Sequence, residues 1–136
     1  MSLPGHLAAL VRARAHGRCE YCRLVQSLQG ATFHVEHIVP VSRGGSSTAE
    51  NLALACPGCN LHKADRISAI DSETGIEAPL FHPRLDAWSV HFEWDGQLVV
   101  GKTATGRATV ASLQFNHSRR LRIRAAEASF GLFPPR

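Results

Sequence analysis

Two CxxC pairs, Cys19-Glu-Tyr-Cys22 and Cys56-Pro-Gly-Cys59, constrain this chain more than any other feature. They account for all four of its cysteines. A CxxC turn places two thiolates within reach of one tetrahedral ion. Two such turns complete a closed four-thiolate site of the kind that holds structural zinc. Residues 23–55 lie between the pairs, too many for a zinc ribbon, so they must form a structure of their own. Free thiols or a redox pair are the competing reading. A closed four-sulfur site offers no open position, so this metal is not expected to do chemistry.

The enclosed segment carries different chemistry. In HVEHIVP, residues 34–40, His34 and Glu36 are two apart and face the same way on a strand. Asn60 follows Cys59 directly. One residue turns a helix by about 100°, so Cys59 can face zinc while Asn60 faces elsewhere. Glu36 and Asn60 offer hard oxygen donors, suited to Mg²⁺ or Mn²⁺, with His34 as a further candidate ligand or an exposed strand residue. A neutral His37 imidazole can take a proton from water near pH 7. Strict alternation points His37 away from Glu36, so a shared site needs the chain to bend there. Pro40 offers an early strand end.

Pattern and turn chemistry place the elements. The spacing of Leu7, Leu10 and Val11 predicts a helix over 5–16, stopped by Gly17. A strand is expected over 31–39, a Gly-Gly loop over 42–51, a return strand over 52–55 and a helix over 57–69 begun by Pro57. Residues 71–83 read as a loop and 71–84 as the candidate linker. Residues 88–94 read as a strand with Trp88, Val90, Phe92 and Trp94 on one face. Asp95-Gly96 then makes a two-residue turn into a strand over 98–100. Thr105 caps a helix over 106–116, and Ser118 caps a last helix ending near Gly131. The fold class is α+β: a zinc-stapled core over 19–70 and an extension over 81–136, within one domain over 1–136.

Charge is unevenly spread. Thirteen of fifteen basic residues are arginine, which favours bidentate phosphate contacts. Residues 1–30 hold four arginines and one glutamate, and residues 117–136 hold five and one, around a more acidic centre. Two basic ends suit a nucleic-acid backbone, and a mildly basic protein with solvated arginines is the plainer alternative. No apolar run is long enough to span a bilayer. The N-terminal stretch makes a poor signal peptide, so a cytoplasmic protein without membrane partners is expected.

HVEHIVP, the Gly44-Gly45 loop, Glu50-Asn51-Leu52 and CPGCNLHK together resemble the HNH endonucleases, whose ββα-metal site is accompanied in many members by a four-cysteine zinc. The resemblance covers residues 19–66. It implies a metal-dependent endonuclease on DNA, double-stranded in the first instance, leaving 5′-phosphate ends. His37 would be the general base and Asn51 would tie the loop to the strand. Asn60, where the family carries its last His or Asn, would be a metal ligand. So would Glu36, where the family often has Asp. The stretch from Leu80 to Asn116 resembles the C-terminal extension of many small bacterial stand-alone members. A zinc-stabilised nucleic-acid-binding module without catalysis is the alternative.

Further basic side chains are candidates for backbone contacts. Lys63 lies three residues after Asn60 and shares its helix face. Arg43 adjoins Gly44-Gly45, and Arg84, Arg107 and Arg119 to Arg124 complete a possible DNA path. For each, a solvated surface charge is the alternative. His62 lies about 200° from Asn60 around the helix and is expected to miss the site.

Overall fold

The computed structural model describes residues 3–135, so Arg136 and the outer ends of the expected domain lie outside the described residues. The architecture is α+β, with three separate two-stranded antiparallel sheets threaded between helices among the described residues. Helix α1 (Gly5–Arg14) buries Val11 but leaves Leu10 exposed. His16 and Gly17, both at positive φ, reverse the chain toward Cys19. The basic residues of α1 are structural. Arg12 donates to Phe33 O at 2.9 Å, and Arg14 donates to Ala49 O at 2.7 Å and Leu52 O at 2.5 Å.

Strand β1 (His34–His37) is shorter than expected. It pairs with β2 (Leu52–Ala55), His37 facing Leu52 and His34 facing Ala55. Every residue of β2 is buried, because α1 and helix α2 (Pro57–Lys63) both pack against it. Pro57 opens α2 and Cys56 Sγ caps it. The helix stops six residues before its expected end. Ala64 leaves helical space at φ 49°, and the chain turns into β3 (Ser68–Ile70).

The expected linker is instead a hairpin. β3 pairs with β4 (Glu77–Pro79) around a turn organised by the buried Asp71, which accepts from Glu73 N and Thr74 Oγ1. Arg107 donates to both Asp71 oxygens, at 2.8 and 2.9 Å. That partner is 36 residues away, so no local pattern announces the turn. Leu80 and Phe81 then enter the core rather than crossing solvent.

The expected strand over 88–94 begins as one helical turn, α3 (Trp88–His91), where Trp88 Nε1 donates to Tyr21 O at 2.8 Å. Val90 consequently leaves the aromatic face and is exposed, while Trp88 stays within 5.0 Å of Phe92 and 5.2 Å of Trp94 between ring centroids. β5 (Phe92–Asp95) pairs with β6 (Leu98–Gly101). Asp95 pairs with Leu98, so the two-residue turn is Gly96-Gln97, one residue on from the expected one. Gly96 takes φ +59° there, which favours glycine. Helix α4 (Ala104–Ser112) is capped by Thr103, not Thr105, and α5 (Ser118–Ser129) by His117, not Ser118.

One core cluster runs from Val11 to Phe115 and includes all four cysteines. Phe81 meets Tyr21 and Phe92 edge-on, and its backbone N–H donates to Thr109 Oγ1 at 2.9 Å. Burying each such ring stabilises the fold by about 1.5–3 kcal/mol. The expected arginine-rich surface of α5 is only partly a surface. Arg120 and Arg124 are buried, and Arg124 donates to Phe115 O at 2.8 Å and Gln97 O at 3.0 Å.

The Arg107 guanidinium holds the Asp71 carboxyl well below the usual carboxylate range. A depressed folded-state pKa contributes stability that is present above the unfolded value of 3.8 and is lost as pH falls below it. Thermal unfolding of Asp71→Asn is expected at a lower Tm than wild type at pH 7. The gap should narrow as the pH is taken below 3.8. A gap that stays constant with pH would contradict the ion pair's role.

Candidate active site and metal centre

The four cysteine sulfurs lie within 4.8 Å of one another and are buried. Cys22 Sγ and Cys56 Sγ are 3.6 Å apart. A tetrahedral zinc with bonds of about 2.3 Å needs sulfurs about 3.8 Å apart, so the donor set fits. Two backbone N–H groups aim at sulfur, Cys22 N at Cys19 (3.5 Å) and Cys59 N at Cys56 (3.4 Å). Burial, then the three neighbouring sulfurs, push the Cys59 thiol well up. A central dication removes that penalty by stabilising the thiolates.

The C-terminal extension reaches this centre. Arg120, from α5, donates Nη1 to Cys59 Sγ at 3.3 Å. Burial alone would lower its pKa, but the four sulfurs outweigh burial and raise it. A tetrathiolate zinc centre carries two net negative charges, so a buried arginine beside it offsets part of a costly burial. Gly58 makes room for it. A Cβ there would stand 2.4 Å from Arg120 Nη2.

The second constellation is built by Asn51. Its Oδ1 accepts from Val39 N at 2.9 Å, while Nδ2 donates to Val39 O at 2.9 Å and Ser46 O at 2.8 Å. These bonds lock the end of the β1 segment to the Gly-Gly loop. Gly45 is needed for that closure, since a Cβ would fall 1.7 Å from Val39 O. The loop then presents Ser47, whose Oγ is 2.8 Å from His37 Nε2. Sequence reasoning missed Ser47. Its only signal was its place beside the Gly-Gly turn.

Glu36 and His37 have different surroundings. The strand stays regular through His37 and bends only at Ile38 and Val39. The His37 ring goes to the loop, while the Glu36 carboxylate is buried between Tyr21 and Lys63. Tyr21 OH donates to Oε1, and Lys63 Nζ lies 3.6 Å from Oε2. Lys63 Nζ also donates to His37 O at 3.3 Å. Lys63 is therefore neither solvated nor turned outward to a phosphate. Its stem is buried and its ammonium bridges the two residues of the expected site. Burial pushes the Glu36 carboxyl up against the pull of Lys63 and Tyr21. Burial pushes the Lys63 ammonium down against the pull of Glu36. Both partners move toward their neutral forms.

The oxygen donors fit a hard divalent ion in kind but are few. Asn60 stands one turn before Lys63 on α2 and its side-chain amide bonds to no described residue. Glu36 supplies one carboxylate, already engaged. His34 is exposed at the far end of β1. Among the described residues, the four cysteines are the one group of three or more His, Cys, Asp or Glu donors at ligand distance. Mg²⁺ commonly takes one or two carboxylates and completes its shell with water and phosphate, so a donor set as small as Glu36 with Asn60 fits it in kind.

The remaining candidates are dispersed. Arg43 Nε donates to Asp65 O at 2.6 Å on the surface. Arg84 pairs with Glu20, which itself accepts from Leu54 N. Arg107 is held by Asp71. His62 lines a groove with His117, Arg119 and Arg120 of the α5 end.

Residues 19–66 match the family model for HNH endonuclease. No curated protein matches the chain. The segment spans the zinc ligands, the Asn51 clamp, His37 and Asn60, and it implies a nucleic-acid substrate.

The purified protein is expected to hold one zinc per chain, and its removal by a chelator should unfold the core. Arg120→Met should release zinc faster to a colorimetric chelator. Loss of such a supporting contact typically costs about 10–100-fold in metal affinity. Release at the wild-type rate would show that Arg120 merely packs there.

Proposed function

We propose that this HNH segment makes the chain a divalent-ion-dependent endonuclease that hydrolyses phosphodiester bonds of double-stranded DNA in the cytoplasm. The observation that carries the reading is the Asn51 clamp, which brings Ser47 to 2.8 Å from the half-buried His37 ring. An imidazole so held is a general base with a fixed orientation. It takes a proton from the water that attacks phosphorus, a contribution of about 10²–10⁴-fold. The role requires the tautomer in which Nε2–H donates to Ser47 Oγ, which leaves the Nδ1 lone pair to take the proton; with Ser47 donating to Nε2 both ring nitrogens are occupied. Glu36 and Asn60 would hold Mg²⁺ or Mn²⁺, which supplies charge stabilisation to the phosphoryl oxygens and the leaving 3′ oxygen. Lys63, against Glu36 and His37 O, places a further positive charge at the same end of α2.

One observation favours a second reading. Tyr21 and Lys63 already satisfy Glu36, which leaves Asn60 as the unengaged donor of the pair. A chain that keeps this arrangement with substrate bound would be a zinc-stabilised nucleic-acid-binding module.

Plasmid cleavage separates the two. With Mg²⁺ or Mn²⁺, wild type is expected to nick or cut supercoiled plasmid. His37→Ala should lower the rate by about 10²–10⁴-fold while zinc content and Tm are retained. Wild type that binds the plasmid and leaves it intact under every divalent ion would support the binding module and end the nuclease reading. Asn51→Ala should lose activity and stability together, because its clamp of three hydrogen bonds contributes about 1 kcal/mol per bond.

A further inference from the structure

We propose that the groove between α2 and the N-terminal end of α5 is a second phosphate-binding site, which holds the backbone of the nucleic-acid substrate on the face of α2 opposite Asn60. The proposal rests on the nucleic-acid reading above and assigns the extension a part in it.

The argument starts from which cations are still available. Arg14, Lys63, Arg84, Arg107 and Arg124 all have acceptors inside the fold, so the net charge of +4 overstates what a ligand meets in most places. The α2–α5 groove differs. It encloses about 210 Å³ and is lined by His62, His117, Arg119 and Arg120 over the Pro57-Gly58 turn, with no carboxylate in its wall. Arg119 is exposed, and its guanidinium bonds to no described residue.

His117 is set as a donor. Its Nδ1 accepts from Arg119 N at 3.1 Å, which places the proton of the neutral ring on Nε2. Arg120 closes the inner wall but is already engaged, buried with Nη1 on Cys59 Sγ at 3.3 Å, so Arg119 and His117 are the donors offered to a ligand. The first turn of α5, a twelve-residue helix, adds its partial positive charge. Like charges crowd one another here. Burial first, then Arg120, His117 and Arg66, hold His62 below its usual value. An exposed guanidinium and an imidazole N–H in a wall without a carboxylate suit an anion with several acceptor oxygens, which a phosphodiester supplies.

The location sets the role. His62 lies about 200° around α2 from Asn60, so α2 would stand between two phosphate contacts. One would be at the site of cleavage and the other held by the extension. A substrate strand engaged at Asn60 continues over the helix, and the groove meets it there. His62 then serves binding rather than bond-breaking.

The test is anisotropy of a short labelled duplex of arbitrary sequence, titrated with protein across a salt series without added divalent ion. Wild type is compared with Arg119→Ala and with Lys102→Ala, an exposed cation elsewhere that removes the same charge. Arg119→Ala is expected to weaken binding several-fold and to flatten the slope of log K against log salt by about 0.9, the signature of one lost phosphate contact. Lys102→Ala should leave both near wild type. Equal losses in the two variants would overturn the groove. Wild type that binds no duplex would overturn the nucleic-acid reading and the groove with it. Zinc content equal to wild type establishes that each variant is folded.

Discussion

The meeting of four buried cysteine sulfurs is the contact on which the rest of this molecule depends. It joins the turn after α1 to the turn before α2 and so closes the chain over residues 23–55. That closure fixes the ends of the β1–β2 hairpin against α2. It also draws in the extension, because the negative charge of the thiolates is met by Arg120 at 3.3 Å, delivered by α5. Gly58 completes the fit. Any side chain at that position would displace the guanidinium that offsets the buried charge. Core and extension thus share one electrostatic arrangement as well as one hydrophobic cluster.

On that frame, two residues adjacent in sequence have taken opposite duties. Glu36 faces inward, where Tyr21 and Lys63 satisfy it. His37 faces the Gly-Gly loop, where Ser47 and the Asn51 clamp hold it. The strand's alternation imposes this division, since the bend comes only at Ile38. Tyr21 links the centres. It belongs to the first CxxC turn, its hydroxyl bonds Glu36 and its carbonyl accepts from Trp88. Zinc binding, the Glu36 environment and the Trp-rich cluster of the extension are therefore mechanically connected.

What could be read from the sequence follows from the range of the interactions. The metal cluster, the β2 strand and the Pro57 helix start were legible because their determinants lie within a few residues of one another. Asn51 and the Gly-Gly loop were legible through the family resemblance. The misplaced elements share a different cause. Asp71 makes its turn with help from Arg107, Trp88 leaves the strand because Tyr21 O captures its indole N–H, and Arg120 and Arg124 are buried by sulfur and carbonyl acceptors distant in sequence. The ion pair of Lys63 with Glu36 is likewise distant in sequence. Helix periodicity placed Lys63 on the face of Asn60, and the structure adds that its ammonium lies 3.6 Å from Glu36 Oε2.

The central claim is that a metal held by the four sulfurs is closed and separate from His37, the proposed general base. X-ray absorption at the zinc edge tests it most directly. The account predicts four sulfur scatterers at about 2.3 Å and no imidazole contribution. A first shell containing nitrogen or oxygen, or the outer-shell pattern of a histidine ring, would contradict it. Such a result would place His34 or His37 on the metal and merge the two centres into one.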